Sequence, residues 1–106
     1  MTDPEKQAME AEYLTLGRLI ARQCPPGFAT AILTAELDEE AARLSIATTQ
    51  PDGTKARFQP GEDGARDIFE SLSGIREAMA QEDGALWRSC VVTLKAGGRF
   101  AIEVAY

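Results

Sequence analysis

Apolar residues recur at Met9, Tyr13, Leu16, Leu19 and Ile20, the three-to-four spacing that marks one face of a helix. Thr2-Asp3-Pro4-Glu5 precedes them with a capping side chain, a first-turn proline and early acids, and Cys24-Pro25-Pro26-Gly27 ends the run. Leu14 falls off the stripe, so it is either exposed or covered by a neighbouring element. From Phe28 the period changes to two. Phe28–Leu37 sets Ala31, Leu33, Ala35 and Leu37 on one side, and Ala42–Thr49 does the same with Ala42, Leu44 and Ile46. Pairing Leu37 with Ala42 across an Asp38–Ala41 loop brings Ala35 opposite Leu44 and Leu33 opposite Ile46. The Pro51-Asp52-Gly53 turn, with glycine in the left-handed position, then sets Thr48 against Ala56 and Ile46 against Phe58. Two separate turns select the same core face, which predicts a three-stranded meander. Its other face carries Thr30, Ile32, Thr34, Glu36, Arg43, Ser45, Lys55 and Arg57 and is mostly polar, as on a sheet solvated on one side.

A second helix is predicted from Ala65 to Gln81, with Ile68, Leu72, Ile75 and Met79 as its stripe, Phe69 at the edge and Gly84 as C-terminal cap. Gly74 falls on its outer side. The last twenty-one residues, Leu86–Tyr106, form a hairpin signal around Ala96-Gly97-Gly98. A three- or five-residue connection pairs Leu94 with Phe100, Val92 with Ile102 and Cys90 with Val104, all toward the core. Trp87, Ser89, Val91 and Thr93 then point away from the helices, beside Ala101, Glu103 and Ala105, and Tyr106 lies on the core-facing side. The predicted fold is α+β, a single domain over residues 1–106. It is a two-layer α/β sandwich of order α-β-β-β-α-β-β, with two helices on one face of a five-stranded, mainly antiparallel sheet.

Composition narrows the chemistry. The chain has 106 residues, a net charge of −6 and no histidine. Without histidine there is no Ser-His or Cys-His nucleophile pair and no His-ligated metal or haem. Cys24 and Cys90 form no CxxC motif and read as reduced, small apolar residues of a cytoplasmic protein. The polar, acidic Met1–Glu12 lacks the signal-peptide pattern, and the apolar runs are too short for a membrane span. An acidic balance argues against nucleic acid and suits a basic protein partner. Gly97-Gly98 joins two strands and opens no helix, so it is a turn and not a phosphate loop. The Asp-Gly pairs lack calcium-loop spacing. No metal, cofactor or catalytic residue is predicted, and the chain reads as a non-enzyme.

Candidate binding residues remain. Asp67, Glu70 and Glu77 fall opposite the apolar stripe of the second helix, where solvated carboxylates make poor general acids. They are either a plain solvated face or an acidic contact surface for a basic partner. Trp87, with Val91 and Glu103 on the outer sheet face, would anchor recognition there, unless Trp87 instead fills the core.

Ile75-Arg76-Glu77, Leu86-Trp87-Arg88-Ser89 and Gly98-Arg99-Phe100-Ala101-Ile102-Glu103-Val104-Ala105-Tyr106 resemble the C-terminal half of the YezG-like immunity protein family. The matching positions are Trp87, Ser89, Leu94, Gly98, Arg99, Phe100, Glu103 and Tyr106. They cover about thirty residues. Ala105 departs from the pattern, standing where an acid often precedes the tyrosine. The resemblance implies an acidic antidote that neutralises a toxin domain, often a nuclease, by occluding its basic surface. The element order is also similar to that of secretion-chaperone-like folds, which implies the competing reading of a homodimeric chaperone or adaptor. A monomer bound to a basic partner and a dimer through Trp87 and Val91 are the states that separate the two.

Overall fold

The structure, a computed structural model, describes residues 4–37 and 42–106, without the side chains of residues 4–10, 82 and 83. The predicted capping residues Thr2 and Asp3, the Met9 side chain and the Asp38–Ala41 loop lie outside that description. The elements run α1 (Pro4–Gln23), β1 (Thr30–Leu37), β2 (Ala42–Thr49), β3 (Lys55–Phe58), α2 (Glu62–Asp83), β4 (Ser89–Lys95) and β5 (Arg99–Ala105). Five strands form one sheet of order β3-β2-β1-β4-β5, every neighbouring pair antiparallel. The fold is therefore the expected α+β arrangement.

Alternation within the strands decides which face is buried. Ala31, Leu33, Ala35 and Leu37 of β1, Leu44 and Ile46 of β2, and Cys90, Val92 and Leu94 of β4 all enter the core. Leu16 and Ile20 of α1 and Ile68, Leu72 and Ile75 of α2 close over them. Both helices cover this one face and pack on each other. Tyr13 of α1 stacks on Phe100 of β5, their ring centroids 5.4 Å apart. At Gly17, one turn on, an added Cβ would meet Leu94 and Phe100 at ordinary van der Waals distance.

Three hairpin registers follow the turn chemistry. Leu37 pairs with Ala42, Thr48 with Ala56, and Leu94 with Phe100. Gly53 takes φ +90°, and the Thr54 N–H donates to Asp52 Oδ1 at 2.9 Å. Three residues, Ala96-Gly97-Gly98, connect Lys95 to its partner Arg99. The second helix is longer than its apolar stripe, starting at Glu62 behind Gly61, which offers no side-chain cap. Gln23 at the end of α1 supplies an acceptor there instead, its Oε1 taking the Gly61 N–H at 3.1 Å. At the other end Gly84 adopts φ +77° and donates its N–H to Ala80 C=O at 2.7 Å, the expected glycine cap.

Of the two readings open for Trp87, the core holds and the outward orientation given by the β4 alternation does not. Its side chain is fully buried in the core. The Arg88 N–H donates to Ala105 C=O at 2.8 Å, although Ala105 already stands opposite Ser89. Two successive residues thus face one partner, as in a β-bulge, and the alternation slips by one. Arg88 is exposed and Ser89 half-buried, while Trp87 turns in. Arg76 of α2 fixes the turn by donating from Nε to Trp87 C=O at 2.6 Å. Tyr106, expected on the core-facing side, is 58% exposed beyond the end of β5.

Candidate functional site

The sequence-nominated binding residues separate into three places. Asp67, Glu70 and Glu77 are exposed along one line of α2. Their spacing sets them about 15 Å apart from first to last at 1.5 Å per residue. Gly74 interrupts the line, and nothing lies within 4 Å of the place a Cβ would occupy. A partner can therefore approach the helix backbone between Glu70 and Glu77. Glu62 and Asp63 extend the negative charge into the first turn, where they also complement the positive end of the helix dipole.

Val91 and Glu103 lie on the opposite side of the sandwich, on the sheet face that neither described helix covers. The registers order this face into rows. One row runs Arg43, Glu36, Ser89, Ala105; the next Ser45, Thr34, Val91, Glu103. Then come Arg57, Ala47, Ile32, Thr93, Ala101, and last Lys55, Thr49, Thr30, Lys95, Arg99. The face is thus polarised, with cations gathered at the end of Lys55, Lys95 and Arg99. Ile32 and Val91, 37% and 38% exposed, form a small apolar centre on adjacent strands. Trp87 belongs to neither surface. Sequence alternation missed its burial because the bulge at Arg88 leaves no local residue signal.

Among the described residues, two grooves flank the sandwich. One, of about 750 Å³, lies beside β2 where β3 has ended, between Arg43, Pro60, Arg66 and Phe69. The other, of about 690 Å³, lies between α1 and the β4–β5 turn. Tyr13, Phe28, Leu94 and Phe100 give it an apolar floor, Arg18 and Lys95 stand at its rim, and Leu14 of α1 is exposed along it.

The nucleophile inventory is small. Cys24 and Cys90 are free and buried. Burial pushes the Cys90 thiol up to about 11 and raises Cys24 in the same direction. Both therefore stay protonated and unreactive near neutral pH. Among the described residues, no three His, Cys, Asp or Glu side chains gather closely enough to hold a metal ion. No described helix is long and apolar enough to cross a membrane. No known protein family model matches the chain, and no curated protein matches it either.

Proposed function

We propose that this chain is a non-enzymatic, immunity-type binding protein that neutralises a toxin domain by covering its basic surface. The observation that carries the reading is the exposed line of Asp67, Glu70 and Glu77 on α2, opened at its middle by Gly74. Acidic side chains on a rigid helix present fixed charge to a basic partner and steer its approach. The net charge of −6 supports the same polarity. The sheet's outer face gathers cations at one end, so it suits a basic partner less well. Its Ile32 and Val91 favour a second reading, an adaptor that binds a protein segment on that face. With Trp87 in the core, that surface lacks the aromatic anchor a Trp87–Val91 dimer needed.

The test is capture of basic proteins from producing cells by the wild-type chain and by the triple variant Asp67→Lys, Glu70→Lys, Glu77→Lys. The recovered domain is then titrated directly at two salt concentrations. The expected result is at least a tenfold loss of affinity in the variant, with a salt dependence that the variant abolishes. Equal affinity in both chains removes α2 as the contact. Binding that survives the triple variant and is lost in Val91→Glu transfers the site to the sheet face.

A further inference from the structure

We propose that the open edge of β5 pairs with β5 of a second copy of this chain, antiparallel and centred on Ala101, so that one sheet runs through both copies. The hydrogen-bond pattern shows which groups are free for this. Leu37 N–H donates to Arg88 C=O and Ala96 N–H to Ala29 C=O, at 2.8 and 2.9 Å. Odd-numbered residues of β1 therefore bond toward β4, and antiparallel alternation carries the pattern across the sheet. On β5 the odd-numbered residues bond inward to β4. Phe100, Ile102 and Val104 direct their N–H and C=O groups out of the edge.

The opposite edge shows how this fold closes a strand. β3 is four residues long, carries Lys55 and Arg57, and is bracketed by Pro51 and Pro60. Short length, cations and proline are the usual protections against edge-to-edge pairing. β5 has seven residues, no proline, and one cation balanced by one anion. Its core-side row, Phe100, Ile102 and Val104, is only partly covered.

Charge selects a second copy as the occupant. Centring the pair on Ala101 sets Arg99 of each copy opposite Glu103 of the other, and Phe100 opposite Ile102. Both ion pairs fall on the outer face, where Arg99 and Glu103 are exposed. Centring on Glu103 would oppose two like charges, and centring on Ile102 would leave two glutamates diagonal to each other. A strand whose five residues Arg-Phe-Ala-Ile-Glu read as their own complement fits its twin. The pairing involves neither Asp67, Glu70 nor Glu77, so it stands or falls independently of toxin binding.

Sedimentation velocity of the purified full chain over a concentration series tests the pairing. A monomer–dimer equilibrium is expected. Glu103→Arg should weaken it about tenfold or more, and so should Arg99→Glu, while the double exchange Arg99→Glu, Glu103→Arg should restore it. Circular dichroism verifies that each exposed variant is folded. Ala101→Cys checks the register, because directly opposed residues of this pair bring Cα atoms to about 4.5 Å, within disulfide reach. Mild oxidation should link two copies of the Ala101→Cys chain through that position, whereas Ala105→Cys should not link. A wild-type chain that stays monomeric throughout overturns the proposal. So does a dimer indifferent to both charge reversals, one that the double exchange does not restore, or one linked through position 105 instead of 101.

Discussion

The two edges of the sheet are finished differently. At β3 the chain enters through a tight turn, makes four residues of strand and leaves through Pro60. Its inner row contributes only Phe58, half-buried. At β5 seven residues run the full length of β4. The C-terminal end of that pair is tied into the core by the bulge that turns Trp87 inward. The β3 edge is local, set by its turn and protected by charge and proline. The β5 edge is tertiary, set by what packs beneath it, and no described strand pairs with it. A strand edge reports function best where the fold has left out the protection it used elsewhere.

The largest expected effect breaks that contrast at its anchors. Trp87→Ala should lower the unfolding free energy by about 3–5 kcal/mol, because a fully buried indole is removed. Phe58→Ala at the other edge should cost only about 1–2 kcal/mol. Urea unfolding of both variants measures the difference, and equal losses would mean that the β3 edge is held as deeply as the β5 side.

A smaller effect is expected in alkali. Cys90 of β4 faces Val104 of β5, and its folded thiol is pushed up to about 11 from an ordinary value near 9. In the unfolded chain the thiol ionises first, so the folded state holds more protons in this window. The stability Cys90 contributes is fully present below pH about 9 and is lost as pH rises toward about 11. Unfolding followed across that range should show a falling limb that Cys90→Ala flattens. An unchanged limb would place the alkaline sensitivity elsewhere.

The smallest effect belongs to the β3 turn. The Thr54 N–H donates to Asp52, holding that carboxyl below the usual carboxylate range. A depressed folded value contributes stability above the unfolded carboxylate value and loses it as pH falls through the folded one. Asp52→Asn keeps an acceptor for Thr54 but removes the charge. It should flatten the acid limb slightly and lower neutral stability by the same small amount; a large neutral loss would show that the turn governs more than its own hairpin.

Much of this molecule was legible residue by residue. Hairpin registers were readable because the turn residues and the two-residue alternation are adjacent in the chain: Pro51-Asp52-Gly53 and Ala96-Gly97-Gly98 each leave one pairing that buries the right side chains. The exposed positions of Asp67, Glu70 and Glu77 were readable from helical spacing for the same reason. By contrast, the pairing of β1 with β4 joins segments separated by two strands and a helix, and no local pattern chooses it. Which strands end as edges follows from that choice.

Trp87 shows where alternation stops. Its outward assignment extrapolated the β4 pattern two residues beyond the strand, and a bulge against Ala105 reversed it. The sequence alone determined the element order, the three hairpin registers and the acidic line on α2, all short-range consequences of periodicity and turn chemistry. Only the tertiary structure decided the strand order, the burial of Trp87 and the open state of the β5 edge. Those depend on backbone groups distant in the chain finding one another, and on a single extra residue in a ladder.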